Sequence, residues 1–124
     1  MLDTNALSAW AGAETALLRV LPKDRLWHLP VVALGEFLFG IRRSRERAKL
    51  ERWIEEVKAT CALVGVDADT ADHYAEIREE LRAAATPVPE NDIWIAALCR
   101  QHQLALASRD GHFDNVRGLK RVTW

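Results

Sequence analysis

Short apolar runs alternate along the chain with longer stretches in which apolar residues recur at every third or fourth position, a pattern that predicts βα units around a mostly parallel sheet. Met1-Leu2 is the stub of a first strand, and Asp3-Thr4-Asn5 offers three capping residues before a helical run from Ala6 to Trp10 that Gly12 closes. A second strand is expected over Leu26 to Leu29, with Pro30 placed to open a helix through Leu34, Phe37, Leu38 and Ile41. Ser44 to Lys58 is charged on one side and apolar at Leu50, Trp53, Ile54 and Val57, which predicts an amphipathic helix. Cys61 to Val66 is the clearest strand, and Asp67 to Ala85 follows as a helix capped by Asp67 or Asp69. Thr86-Pro87-Val88-Pro89 breaks it, and a helix from about Glu90 to His102 comes next. Leu104 to Ala107 then predicts a short central strand, Ser108 to Gly111 a loop, and Leu119 to Trp124 a last strand. The expected fold is therefore α/β, a three-layer α/β/α sandwich with Leu2, Leu63, Val64, Leu104 and Leu106 on strands and Glu36 and Asp92 on helices.

The chain has 124 residues, the size of one ordinary domain, so residues 1–124 are expected to form a single unit with its own core. A formal charge of −1 excludes the broadly basic class that grips nucleic acid by electrostatics alone. Cys61 and Cys99 are far apart and form no C-x-x-C pair, so both are expected as buried free thiols in a reducing cytoplasm. No signal peptide is evident and no apolar run approaches the roughly 20 residues a membrane span needs, so no membrane association is expected.

Four carboxylates change this picture. Asp3, Glu36, Asp92 and Asp110 each sit where a strand is expected to end or a helix to begin. In a parallel α/β sheet the crevice lies beyond the carboxyl ends of the strands, so acids distant in sequence can converge there. Two like charges about 4 Å apart at an effective dielectric of about 20 repel by roughly 4 kcal/mol, so such a cluster calls for divalent cations or bound protons. All-oxygen ligands favour Mg²⁺ or Mn²⁺ over softer metals, which points to metal-dependent phosphodiester chemistry. Taken singly, Asp3 and Asp92 read as helix-start residues and Asp110 as a turn residue before Gly111. Glu36 resists that treatment: it lies inside Val31-Val32-Ala33-Leu34-Gly35-Glu36-Phe37-Leu38-Phe39, where an acid must find a cavity, a partner or a metal.

Four stretches in order, Leu2-Asp3-Thr4-Asn5, Gly35-Glu36, Asn91-Asp92-Ile93-Trp94-Ile95-Ala96-Ala97 and Ser108-Arg109-Asp110-Gly111-His112-Phe113, resemble the PIN-domain ribonucleases, and most closely the VapC-type toxins of bacterial toxin–antitoxin pairs. The resemblance spans essentially the full length. It implies a PIN-like fold, RNA cleavage with Mg²⁺ or Mn²⁺, a cognate antitoxin protein and a homodimer. The chain carries fewer apolar residues before its first Asp than the family usually does, so a trimmed start and a weakly paired first strand are expected. Asp110 matches the family's variable fourth acidic position, and Asp114 is read as a solvated loop acid.

On this reading Asp3, Asp92 and Asp110 are metal ligands, direct or through water, and Glu36 either ligates a second ion or orients and deprotonates the attacking water. Asn5 and Ser108 are expected to fix a neighbouring carboxylate by hydrogen bonding, and Thr4 to act as a backbone cap. Arg42, Arg43, Arg45, Arg47, Lys49 and Arg52 form one basic cluster, read as a solvated helix face with a phosphate-binding rim as its alternative. His28, His73, His102 and His112 lack metal-ligand spacing, and Trp94 and Phe113 read as packing residues. Two other classes compete: a non-enzymatic PIN-like module that partners a DNA-binding protein, and a phosphatase or phosphoacceptor using Asp3. The second lacks a convincing downstream lysine and leaves Glu36 unexplained.

Overall fold

The structure, a computed structural model, describes residues 1–22 and 24–124. The elements run α1 (Thr4–Ala11), α2 (Thr15–Val20), β1 (His28–Pro30), α3 (Val31–Ile41), α4 (Arg47–Thr60), β2 (Ala62–Val64), α5 (Ala68–Ala83), α6 (Glu90–Gln101), β3 (Leu106–Ala107), a 3₁₀ turn (Gly111–Asn115) and β4 (Arg121–Val122). β1 pairs in parallel with β2, Leu29 opposite Leu63, and β3 pairs in parallel with β4, Leu106 opposite Arg121. The N-terminal residues join the two pairs. Leu2 N–H donates to the His28 carbonyl at 2.9 Å, Asp3 N–H to that of Ala107 at 3.1 Å, and Ala107 N–H to that of Met1 at 2.9 Å. The backbone order is thus β2, β1, Leu2, β3, β4, with the β1–β2, Leu2–Ala107 and β3–β4 pairings all parallel, which matches the expected α/β architecture.

Leu2 forms an isolated bridge with Ala107 and is not part of a longer strand, yet it is bonded on both sides, so it is less weakly held than its brevity suggested. Leu2, Leu29 and Leu106 are buried from the sheet against Leu7, Ile54, Ile77, Ile95, Ile93 and Phe113. Burying a residue of this type contributes about 1.5–3 kcal/mol, and these positions form one continuous core.

Several boundaries differ from expectation for backbone reasons. Leu104 is not on a strand, because its N–H still closes α6 by donating to the Cys99 carbonyl at 2.9 Å. Gln103 (φ 54°) supplies the left-handed residue of that Schellman closure. Gly12 is the C-cap of α1, but the left-handed residue is Ala13 (φ 53°), at a cost of roughly 1–2 kcal/mol that a glycine would avoid. The pattern also missed α2, six residues long and packed on α1. Pro30 ends β1 and serves as the N-cap of α3 instead of opening the helix from within. Asp67 caps α5 through a capping box with Thr70, whose buried hydroxyl donates on to Gln101 Oε1 at 2.5 Å and ties α5 to α6.

Cys99 is buried, and desolvation pushes its thiol up to about 12, but Cys61 is only half-buried, because the chain passes it on the way out of α4. In the basic cluster, Arg47 pairs with Glu51 at 2.7 Å and Lys49 with Glu46 at 3.3 Å, all exposed, as on a solvated face. Among the described residues no helix is long and apolar enough to cross a membrane.

Candidate functional site

Asp3 directly follows Leu2, Asp110 lies three residues beyond β3, and both therefore emerge from the carboxyl ends of parallel strands. Glu36 stands in the middle of α3, which leaves β1 immediately at Pro30. Asp92 occupies the first turn of α6, where the helix dipole favours an anion. All four acids line one open cavity of about 530 Å³ with Thr4, Asn5, Ser8, Ala9, Glu14 and Arg109.

Asp3 is the best-held member. It is buried, Oδ1 accepts from the Thr4 N–H at 2.6 Å, and Oδ2 accepts from Asn5 Nδ2 at 2.5 Å and from the Ser108 hydroxyl at 2.7 Å. Asn5 also donates to Ser108 Oγ at 3.0 Å, and its own Oδ1 accepts from the Arg109 N–H at 3.0 Å. Ser108 Oγ accepts in turn from the Asp110 N–H at 3.0 Å. Asn5 and Ser108 thus hold Asp3 as expected, and they lock the loop that carries Asp110 to the start of α1. Burial is the largest influence on Asp3 and raises its pKa above the usual carboxylate range; the hydrogen bonds from Ser108 and Thr4 offset part of this, and the charges of Glu36 and Asp110 add to it.

Glu36 accepts from the Thr4 hydroxyl and, at 2.7 Å, from Asn91 Nδ2. Thr4 is therefore more than a backbone cap, since its side chain reaches across to α3. Asp110 Oδ1 accepts from the His112 N–H at 2.8 Å and lies 3.0 Å from His112 Nδ1. His112 departs from the expectation of an uninvolved imidazole, because the 3₁₀ turn folds its side chain back over the carboxylate two residues earlier. Ligand atoms of Asp92, Asp110 and His112 all lie within 4.8 Å of one another. Asp3 and Glu36 stand outside that tight group although they share the cavity. Asp114 points away, exposed and paired with Arg121 at 2.6 Å.

Asp92 is pushed up to about 6, first by desolvation and then by the charges of Asp3, Asp110 and Glu36, with His112 acting the other way. At 4.8 Å and an effective dielectric of about 20, Asp92 and Asp110 repel by roughly 3 kcal/mol, which a bound dication would reverse. A raised folded-state pKa means that the metal-free fold binds the Asp92 proton more tightly than the unfolded chain does. The contribution is fully present below about pH 4 and is lost as pH rises through about 6. Asp92→Asn removes this pH dependence. In EDTA its melting temperature is expected to exceed the parent's by a few degrees at pH 7.5 and to converge with it near pH 4. A lower melting temperature for the variant at pH 7.5 would contradict the repulsion inferred here.

The chain belongs to the PIN-domain family, whose PIN domain pattern matches residues 1–119. It is similar to the Mycobacterium tuberculosis ribonuclease VapC5, with 29% identity over 125 residues covering 98% of this chain and 90% of that protein. Ribonuclease VapC4 of the same organism is 28% identical over 99 residues, 78% of this chain and 76% of the relative. The tRNA(fMet)-specific endonuclease VapC of Shigella flexneri is 29% identical over 94 residues, 75% of this chain and 71% of the relative. Among solved structures, VapBC2 from Rickettsia felis bound to a promoter DNA fragment superposes with a TM-score of 0.87 over 100% of this chain and 97% of that one, at 20% identity, a likeness of fold alone. VapBC-5 from M. tuberculosis gives 0.76 over 98% and 94%, at 28% identity.

Proposed function

We propose that residues 1–124 work as a single Mg²⁺- or Mn²⁺-dependent endoribonuclease unit, the toxin of a toxin–antitoxin pair. The observation that carries this reading is the close approach of Asp92, Asp110 and His112 in a cavity that Asp3 and Glu36 also line, where desolvation and then the neighbouring carboxylate charges push Asp92 up to about 6. Such a site is short of positive charge, and carboxylate oxygens suit a hard dication. Asp92 and Asp110 would hold the ion. Asp3 would assist: an ionised carboxylate has about four acceptor sites, and protein donors take three of them here. When bound, the ion lowers the pKa of the attacking water and counters charge on the phosphate oxygens.

The chain's own groups supply the geometry. Each Glu36 oxygen accepts one hydrogen bond, from Thr4 and Asn91, which fixes the carboxylate and leaves acceptor capacity either to orient a water and take its proton or to hold a second ion. His112 is placed to fix the Asp110 rotamer, as outer hydrogen-bond partners of ligands commonly do. RNA as substrate is supported by the relatives, which are named ribonucleases or an RNA-specific endonuclease. Incubating the protein with RNA in Mg²⁺, in Mn²⁺ and in EDTA tests the reading. Cleavage that persists undiminished in EDTA would overturn it.

A cytoplasmic toxin needs a proteinaceous inhibitor, and VapBC-5 of M. tuberculosis, 28% identical, is a member of the VapBC family of toxin–antitoxin systems. On α3, the helix that carries Glu36, Phe39 is 77% exposed and Leu38 and Val31 are partly exposed, an apolar surface suited to an amphipathic tail. Co-expression with the neighbouring gene product is expected to yield a stable complex, with the toxin as a homodimer, and to relieve growth arrest. Harmless expression of the chain alone, with no cleavage and a stable complex, would favour the non-enzymatic module.

A further inference from the structure

Among the described residues lining the acidic cavity, Arg109 is the one cation. It sits in the loop between Ser108 and Asp110, and attraction alone would draw its guanidinium onto the acids beside it. The structure holds it elsewhere. The guanidinium pairs with Glu14, in the turn between α1 and α2, and its central carbon lies 4.6 Å from the centre of the Trp124 ring. The Trp124 indole N–H donates to the other Glu14 oxygen at 3.3 Å. Three side chains from three segments therefore close on one another at the cavity wall, while the Arg109 backbone N–H is tied to Asn5.

A half-exposed ion pair contributes little to stability, so this clamp is better understood as the placement of a charge than as a brace. A guanidinium carries five N–H donors in a planar fork, and a single bond to Glu14 leaves most of them free. That fork matches phosphate oxygens, and stacking on an indole orients it without consuming donors. The cavity is otherwise acidic, so a polyanion entering it meets attraction from a bound dication and from Arg109 alone.

The geometry points to Arg109, held by Glu14 and Trp124, as the residue that positions a phosphate of single-stranded RNA next to the bond being cut. This rests on the ribonuclease reading above. The probe is a labelled single-stranded oligoribonucleotide titrated onto the Asp92→Asn protein over a salt series, with and without Arg109→Met, which keeps an unbranched stem against Trp124. Arg109→Met is expected to weaken binding about tenfold and to make the slope of log affinity against log salt shallower by about 0.7, the loss of one phosphate contact. Arg109→Lys keeps the slope and recovers part of the affinity, because charge remains while the fork is lost. In the cleaving protein, Arg109→Met raises KM by a similar factor and leaves kcat within about threefold.

Unchanged affinity and slope in Arg109→Met, with a lowered melting temperature, would overturn the inference and leave Arg109 as a tie between segments. Should that variant fail to fold, Arg109→Lys decides: weakened binding at the parent's slope supports the fork as the phosphate contact, and parent-like affinity counts against the proposal. A parent that cleaves no RNA sinks the ribonuclease reading separately, and the binding series still reports on Arg109.

Discussion

Asp92→Asn and Asp110→Asn are each expected to lower metal-dependent RNA cleavage by at least about a hundredfold, and Asp3→Asn to do the same, while all three variants remain folded. Replacing an outer hydrogen-bond partner of a metal ligand already costs about 10–100-fold, and loss of a charged ligand exceeds that. The amide that replaces the carboxylate is uncharged and would leave a bound ion without an anchor against the phosphate. Folding survives at Asp92 because the charge removed is one the metal-free fold tolerates poorly, as its upward shift to about 6 shows. At Asp3 the new amide can still accept from Ser108 and Asn5 through its carbonyl, although one acceptor oxygen becomes a donor facing other donors. Asp3→Asn is therefore the least stable of the three. Asp114→Asn is the control, since its carboxylate pairs with Arg121 and does not line the cavity, and it is expected to stay as active as the parent. Initial-rate measurements on a susceptible RNA, with melts of every variant, check all of this. Full activity in Asp92→Asn or Asp110→Asn would remove the basis of the proposed function.

Phe113→Ala is expected to destabilise the fold by about 3–5 kcal/mol, a large part of the 5–15 kcal/mol typical of a whole domain. Phe113 is fully buried, and it is the side chain by which the 3₁₀ turn Gly111–Asn115 plugs into the core beside α6. Truncation leaves a cavity that the rest of the close-packed core fills only in part. Asp110 caps that turn and His112 lies within it, so RNA cleavage at temperatures well below melting is expected to fall as well, because the loop loses its anchor. Thermal and urea unfolding measure the first effect, and a melting temperature lowered by roughly 10 °C or more is the expected size. A shift of only about 1–2 °C would show that the turn is held mainly by the polar network around Ser108.

The places of the four acids were legible because each depends on a local signal. Asp3 follows an apolar stub and caps a helix, Asp92 sits in a first turn after a Pro-rich break, Asp110 precedes a glycine, and Glu36 interrupts an apolar helix. What holds those acids was not legible. Thr4 reaches Glu36 across 32 positions and Trp124 reaches Glu14 across 110, and no spacing rule connects residues so far apart. Asn91 escaped for the same reason, since its partner Glu36 is 55 positions away, whereas His112 contacts Asp110 only two residues back, a spacing that was a usable hint. The short helix α2 offers too few turns for a periodicity to show, and the closure of α6 takes in the N–H of Leu104, which looked extended, because Gln103 takes a left-handed conformation usually left to glycine.

Periodicity and capping chemistry are properties of neighbours in the chain, and they were enough to order the helices and strands and to place an acid at each critical junction. The strand order is another matter. Leu2 lies between β1 and β3 through bonds to His28 and Ala107, contacts that depend on burial of the whole core and not on any segment's own preference. That arrangement brings the carboxyl ends of the strands to one side and so turns four separate helix and loop acids into one cavity. Desolvation and mutual repulsion, which lift Asp92 to about 6, arise only once those charges share a space that water enters from one side.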